Sequence, residues 1–344
     1  MNESQTATLL ALTFLLVFTA TYTCRFLTSP TTPGRPVQVD IAPGQSAWEI
    51  SNTLEKHRII TDASMFMALS FIIGKASHLQ AGAYAFEGNH FPLEVINILF
   101  KGKTLRYRIT IPEGSNIYRI GEIISATGLL TKKQFIRSAS SHEIMIFFRI
   151  DAPSMEGYLY PDTYFLALHM TPLEIMAKML DRLNRAYTPD MEQQARKLGL
   201  SKRGVLTLAS IIEKEAVVGA EKPLISSVFH NRLASRMPLQ SDPTAIYGLD
   251  DFRGNIQPEH LLRDSPYNTY RHRGLPPGPI CNPGIQSIIA ALWPAKTDYL
   301  YFVSRGDGTH SFSSSLSEHN RAISRNFRSE KHDEFPKVKR PSLR

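Results

Sequence analysis

The spacing of apolar and polar residues changes several times along the chain, and each change predicts an element. Ala7 to Cys24 is a run without charge, rich in Leu, Phe, Val, Ala and Thr. Its 18 residues lie near the lower limit for crossing a bilayer as a helix. Ser29 to Pro36 reads SPTTPGRP, a stiff, extended spacer. Strict alternation at Val37, Val39 and Ile41 then predicts a strand. Pro43-Gly44-Gln45-Ser46 reads as a turn and helix start, followed by Ile50 and Leu54 on one helical face. Ala81 to Phe86 reads as a strand and Pro92 to Phe100 as a helix ended by Gly102. Gly44, Ile50, Leu54, Ile59, Ile60, Thr61 and Met65 match Gly114, Ile120, Ile124, Leu129, Leu130, Thr131 and Phe135 at an offset of 70 residues. That is either an internal repeat or two ordinary strand–turn–helix units of similar spacing.

The texture changes at Glu156. Met155 to Tyr164, MEGYLYPDTY, is aromatic and turn-rich. Thr171 to Lys197 is amphipathic and helical, with a break near Pro189. Ser201 caps a further helix through Glu215, and Pro223 to Arg232 is another. Beyond Met237 the chain is rich in Pro, Gly, Asn and Tyr, as suits loops shaping a polar groove on a rigid scaffold, or ordinary surface loops. Tyr299 to Ser304 reads as a strand, and Thr309 to Phe312 continues the sheet. The fold class is therefore α+β. The expected divisions are a short cytoplasmic end (1–6), a transmembrane anchor (7–27), a Pro-rich linker (28–36), a small subdomain (37–106), a mixed helix and sheet domain (107–328) and a basic tail (329–344).

Composition narrows the classes. The chain has 344 residues and 42% hydrophobic content, enough for a buried core in about two domains. Much of the net charge of +8 is local, since Arg321 to Arg344 carries eight Lys or Arg against Glu330, Asp333 and Glu334. No aromatic-interleaved basic stretch or zinc-finger spacing points to nucleic acid. Cys24 and Cys281 sit in different settings, too few and too unlike for a disulfide framework. No HExxH, Cys/His pair, P-loop or GxGxxG is present, so neither a metal nor a cofactor is expected. Met1 to Thr6 lacks Lys and Arg and carries Glu3, which favours an uncleaved single-span anchor over a cleaved signal peptide. Lipidation at Cys24 is a third reading, poorly signalled by the preceding Thr-Tyr-Thr.

The candidate chemistry lies in LASIIEKEA, Leu208 to Ala216. At 100° per residue Glu215 shares a face with Leu208, Ile211 and Ile212. Thr207, Ser210 and Lys214 form a polar stripe, and Glu213 points nearly opposite Glu215. Apolar surroundings push a carboxyl toward its neutral form. A carboxylic acid that is neutral near neutral pH is what glycosidic cleavage requires of its general acid. An ordinary solvated Glu and Lys on a surface helix is the competing reading.

The chain resembles the YceG-like family, the endolytic murein transglycosylases. The resemblance runs from about Val37 to Asn326 and rests on EGYLYPDTY (Glu156 to Tyr164), LASIIEKEA, VFHNRL (Val228 to Leu233), LQSDPTAIYG (Leu239 to Gly248), SPYNTY (Ser265 to Tyr270), GLPPGPI (Gly274 to Ile280), NPG (Asn282 to Gly284) and LYFV (Leu300 to Val303). It implies a single-pass inner-membrane protein with an extracytoplasmic (periplasmic) catalytic domain. It implies cleavage within glycan strands of peptidoglycan at the bond between N-acetylmuramic acid and N-acetylglucosamine, leaving 1,6-anhydro ends and terminating nascent strands. Peptidoglycan synthases are the protein partners it implies. Residues 37 to 103 resemble a LysM-like βαα(β) module, in shape and spacing only. By position the family's catalytic glutamate is Glu215. The family usually places Thr after it, where this chain has Ala216.

Glu213, Gln240, Asp242, Tyr247, Asn268 and Tyr270 are the expected substrate-binding residues, the amides and hydroxyls for hydrogen bonds and the tyrosine faces for the apolar side of a sugar. Two alternatives stand. A muramidase-type hydrolase would add a second carboxylate, Asp242 or Asp162, to activate water. A non-catalytic peptidoglycan-binding scaffold would tolerate loss of Glu215.

Overall fold

In a computed structural model, which describes residues 3–249, 254 and 256–333, the elements gather into two units. The first comprises Met1–Arg108 with Phe165–Met170, and the second Ile109–Tyr164 with Thr171–Arg344.

The first unit begins with α1 (Glu3–Thr28), apolar enough to cross a membrane over Thr8–Thr28, 21 residues of mean hydropathy 1.6. Its C-terminal end joins the folded body: Phe26 is buried in the core, and the Tyr22 hydroxyl donates to Asp62 at 2.7 Å. The Pro-rich stretch that follows is pinned as well. Thr31 and His90 exchange backbone hydrogen bonds of 2.9 and 3.0 Å, so Ser29 to Pro36 is not a free tether. Then come β1 (Val37–Ile41), α2 (Ala47–Lys56), α3 (Ala63–Ile72), β2 (Gly82–Phe86) and α4 (Pro92–Phe100). β1 and β2 pair antiparallel with Val39 opposite Tyr84, which turns the predicted alternating residues into the core. Ser46 starts α2 with a capping box to Glu49, and Asp62 caps α3. Ile50 and Leu54 of α2 bury against Phe66 of α3 and Ile96 and Leu99 of α4.

The chain leaves the first unit within β3 (Arg106–Thr110). After β3 the local order of the first unit recurs: Gly114 in a turn, α5 (Ile117–Ser125) and α6 (Lys132–Ala139). Gly44 and Gly114 both take left-handed φ, 86° and 74°, open to glycine at no steric cost. α7 (His142–Phe148) and β4 (Thr163–Ala167) follow, and β4 pairs with β3. Thr171 caps α8 (Pro172–Ala186) and Thr188 caps α9 (Pro189–Lys197). Pro189 thus opens a second helix, where its missing N–H costs nothing.

The Ser201 hydroxyl accepts from Gly204 N at 3.1 Å and starts α10 (Lys202–Glu215). α11 (Lys222–Ala234), α12 (Asp242–Ile246), α13 (Pro258–Leu262) and α14 (Ile285–Leu292) come next. β5 (Tyr301–Ser304) then pairs antiparallel with β6 (His310–Ser313), Phe302 opposite Phe312. α15 (Leu316–Asp333) runs into the segment expected as the basic tail, and 334–344 lie outside the described residues.

α10 is the centre of the second unit, packed by α9, α11, α12 and α14. Every residue from Val205 to Ile212 is buried, so the polar stripe expected at Thr207 and Ser210 is not a solvated face. Their hydroxyls donate back to the carbonyls of Arg203 and Thr207, both at 2.7 Å, and Ser210 also accepts from Ile280 N at 3.0 Å. Small hydroxyls satisfied within the helix can be buried on any side. Of the expected stripe, Lys214 alone is exposed.

Gly157 follows the buried Glu156 and holds φ at 84°, where a Cβ would fall 2.3 Å from Pro279 Cγ. Replacing it by Ala combines a strained backbone, about 1–3 kcal/mol, with a clash against a rigid ring. Gly157→Ala should lower the melting temperature of the full chain by at least a few degrees. A variant that melts with the wild type would show that the 279 loop yields freely.

Candidate active site

Glu215 is the last residue of α10. Protein surrounds its carboxyl group, while the residue as a whole is half-buried. The Ser241 hydroxyl, on the residue before α12, donates to Oε1 at 2.5 Å. Asp242 follows, and its carboxylate accepts from the Tyr270 hydroxyl at 2.5 Å. Arg232 of α11 is held nearby, its Nε on Leu300 O and its Nη1 on Leu239 O, both at 2.7 Å.

These neighbours act against one another. Burial raises the Glu215 pKa, the Ser241 hydrogen bond lowers it, the Asp242 charge raises it and Arg232 lowers it. Burial wins, and the group is pushed up from 4.5 to about 7. The position adds a push of the same sign, because the unpaired carbonyls at a helix C-terminus carry partial negative charge that opposes a carboxylate. Glu215 therefore holds a proton near neutral pH and can give it up at small cost.

A second carboxyl lies deeper. Glu156 is buried and accepts from Ile117 N at 3.1 Å, the Tyr247 hydroxyl at 3.0 Å and Asn282 Nδ2 at 2.9 Å. Burial outweighs those hydrogen bonds and raises its pKa to about 8. Glu156 thus ties the start of α5, the end of α12 and the NPG turn to one point. Tyr247 stacks at a tilt on Tyr267, ring centres 4.7 Å apart.

A cleft of about 370 Å³ opens beside these groups. Asn116, Tyr118, Arg119 and Glu122 of the α5 segment, Lys132 and Lys214 form part of its lining; Pro243, Ile246, Tyr247, Gly248, Leu249 and Ile280 form the rest. Lys214 precedes Glu215 and Pro243 follows Asp242 in the chain, so two lining residues are sequence neighbours of the Glu215 constellation.

The structure sorts the sequence candidates by what they touch. Glu215, Asp242 and Tyr270 come together, joined by Ser241. Tyr247 lies in the cleft wall, its hydroxyl on Glu156. Gln240 is exposed, in left-handed backbone with φ 50°. Asn268 is buried, and Nδ2 donates to Leu261 O and Arg263 O at 2.9 and 2.8 Å, holding the loop that carries Tyr270. Glu213 points away from Glu215 but not into solvent: it pairs with Lys222 at 3.2 Å and accepts from Gly284 N and Ser287 Oγ. Its side chain and that of Lys222 are 10% and 9% exposed, so both carboxylate oxygens are occupied within the fold. Ser241, Arg232 and Glu156 escaped the sequence reading. All three sit inside the strings quoted above, but neither polarity nor spacing separates them from their neighbours.

A family profile described as YceG-like matches residues 39–325. An endolytic murein transglycosylase of Bacillus subtilis (strain 168) is 35% identical over 301 residues, covering 83% of each chain. One from Streptococcus pneumoniae serotype 2 (strain D39 / NCTC 7466) is 29% identical over 321 residues, 83% of this chain and 58% of that one. The crystal structure of a YceG-like protein from Listeria monocytogenes superposes with a TM-score of 0.58 at 34% identity, over 83% of this chain and 98% of the other.

The two raised carboxyls tie stability to pH. A carboxyl whose folded pKa lies above its unfolded value keeps its proton in the fold after the unfolded chain has lost it, so stability falls as pH rises between the two values. For Glu156 that window runs from 4.5 to about 8. The wild type should lose stability relative to Glu156→Gln as pH rises from about 5 to about 8, read from melts of both proteins across that range. A gap that stays constant with pH would mean that Glu156 is ionised in the fold.

Proposed function

The chain belongs to the YceG-like family, and from that premise we propose that it is an endolytic murein lytic transglycosylase with Glu215 as its general acid and base. The observation that carries the assignment of the acid is the environment of Glu215: a carboxyl hydrogen-bonded to Ser241 with its pKa pushed up to about 7, on the residue that follows Lys214 of the cleft wall.

The reaction uses that carboxyl twice. Protonated Glu215 gives its proton to the glycosidic oxygen between N-acetylmuramic acid and N-acetylglucosamine, and the bond to the muramoyl anomeric carbon breaks. The C6 hydroxyl of the same ring then attacks that carbon, and its proton goes to the Glu215 carboxylate. No water enters, the glutamate ends as it began, and the product is a 1,6-anhydro ring. The Ser241 hydroxyl orients the carboxyl through its 2.5 Å hydrogen bond. It supplies a hydroxyl beside the acid in a chain that has Ala216 where the resemblance leads one to expect Thr. Asp242 resists early ionisation of Glu215 through its charge. The Tyr270 hydroxyl bound to Asp242 fixes that carboxylate in place.

The rest of the chain is read in the same light. α1 serves as a single-pass anchor in the plasma membrane, with the second unit outside the cytoplasm where murein lies. The order of strand, two helices and strand in the first unit, with β1 and β2 paired, supports a LysM-like module that holds glycan. Gln240, Tyr247 and Tyr270 are the sugar contacts that the geometry favours. Asn268 and Glu213 act as scaffold, since their polar atoms are spent inside the fold. Peptidoglycan synthases are the partners that a strand-terminating enzyme would meet.

Two substitutions separate the glutamates of the EKE triplet. Glu215→Gln keeps the shape but cannot pass a proton, and anhydromuramoyl ends should form roughly 10²–10⁴-fold more slowly with the fold intact. Glu213→Gln should instead lower stability, by roughly 3–5 kcal/mol at the upper end, because Lys222 is left buried without its partner. Mass spectrometry of digests of uncrosslinked glycan, with melting curves alongside, reads both effects. Near-normal anhydro product from Glu215→Gln would end this mechanism. Reducing ends in place of anhydro ends would favour the hydrolase.

A further inference from the structure

We propose that the first unit lies against the outer face of the bilayer that α1 enters, through the uncovered side of α3 and the basic turn before it. The inference rests on reading α1 as the anchor and adds a second membrane contact, made by the folded body itself.

The composition of α3 is the first observation. From Ala63 to Gly74 the chain carries no Asp, Glu, Lys, Arg or His. Ala63, Phe66 and Ser70 are buried, as one side of a packed helix should be. The other side is open: Ser64, Ala68, Phe71 and Ile72 are exposed and fall within about 100° of one another around the helix. Phe71 and Ile72 are 77% and 79% exposed. A helix face turned to water carries charged or polar side chains, and a helix apolar all round is one that is covered all round. None of the described residues covers this side.

The second observation is where α3 begins. The apolar window of α1 runs over Thr8–Thr28, 21 residues, which is about 31 Å of helix against a hydrocarbon layer about 30 Å thick. The folded body is attached inside that window, not beyond it. Phe26 is buried in the core, and the Tyr22 hydroxyl donates to Asp62, the N-cap of α3, at 2.7 Å. Tyr22 precedes Thr28 by about 9 Å of helix. α3 therefore starts level with the interfacial end of the span, where a tyrosine places its ring toward the acyl chains and its hydroxyl toward the headgroups. Sliding the span toward the N-terminus keeps the contact, since residues 3–21 already give about 28 Å of helix and leave Tyr22 at the boundary.

Charge agrees with this placement. The turn from α2 to α3 starts with Lys56, His57 and Arg58, all exposed, and ends at Asp62, whose carboxylate is spent on the Tyr22 hydroxyl and Met65 N. With Arg25 in the last turn of α1, Lys56 and Arg58 outnumber the exposed Glu55. Cations beside an apolar helix face are what hold an interfacial helix on an anionic lipid surface.

The test uses the full chain in nanodiscs of phosphatidylglycerol and phosphatidylcholine, with Cys24→Ser so that an added cysteine is the reactive one, Cys281 being buried. An environment-sensitive fluorophore at Ile72→Cys should emit to the blue of the same label at Lys133→Cys, an exposed position of the second unit, and should be quenched by brominated acyl chains. Ala68→Asp lies at an exposed position. It should leave the melting temperature unchanged and abolish both effects, because it sets a charge where the face meets acyl chains. Lys56→Gln with Arg58→Gln should weaken them, as added salt should. A label at 72 that emits like the one at 133 and escapes quenching overturns the proposal. So does shielding that appears only when soluble glycan is added, which would assign the face to sugar. Carbonate washing of vesicles reports the anchor by itself. A chain that stays with the vesicles while position 72 is open to water keeps the anchor and overturns the docking. A chain that washes off, yet is shielded at 72 before the wash, keeps the docking and removes the anchor.

Discussion

A carboxyl group at the end of a helix buried from Val205 to Ile212 is the constraint on which the second unit is built. Burial around α10 disfavours charge at Glu215, and the helix end disfavours it further. Burial without relief would leave an acid too weak to release its proton. The Ser241 hydrogen bond and the Arg232 charge pull the other way, and the balance comes to rest at about 7. Arg232 is itself largely desolvated and spends two of its nitrogens on backbone carbonyls, so its charge is fixed in place.

Glu156 plays a different part with the same chemistry. Its carboxyl gathers a backbone N–H from α5, a hydroxyl from the end of α12 and an amide from the NPG turn. These segments are far apart in sequence, and the first two contribute residues to the cleft. A buried polar group that accepts from several segments is costly to leave unsatisfied, so the three must meet at one geometry. The raised pKa of Glu156 follows from that structural task and requires no role in proton transfer. A shifted pKa by itself would not separate Glu156 from Glu215; the residue burial does, complete for Glu156 and partial for Glu215.

The EKE triplet shows how three adjacent residues divide the work. Glu213 and Lys222 form a nearly buried ion pair that locks α10 to α11, with Gly284 and Ser287 at the start of α14 completing the shell. Lys214 faces the cleft and Glu215 faces Ser241. The 100° turn between successive helical residues sends each side chain to a different partner.

The sequence by itself determined the local elements and singled out Glu215 as the candidate acid. Alternation at Val37, Val39 and Ile41, the caps at Ser46, Thr171 and Ser201 and the paired turn glycines act through neighbours a few residues away, so spacing suffices to read them. The wheel that set Glu215 apart from Glu213 is local in the same sense. The tertiary structure alone decided what each polar residue meets. Thr207 and Ser210 lie on the polar side of the wheel but end in the core, because α14 and the 280 loop cover that side. Glu213 was legible as the opposite of Glu215 but not as a buried ion pair, since Lys222, Gly284 and Ser287 come from other segments. Asn268 has the residue type of a sugar ligand, and only the path of the 261–270 loop turns its amide inward. Ser241 and Glu156 act through partners 26 and 91 residues away, contacts that spacing along the chain does not encode.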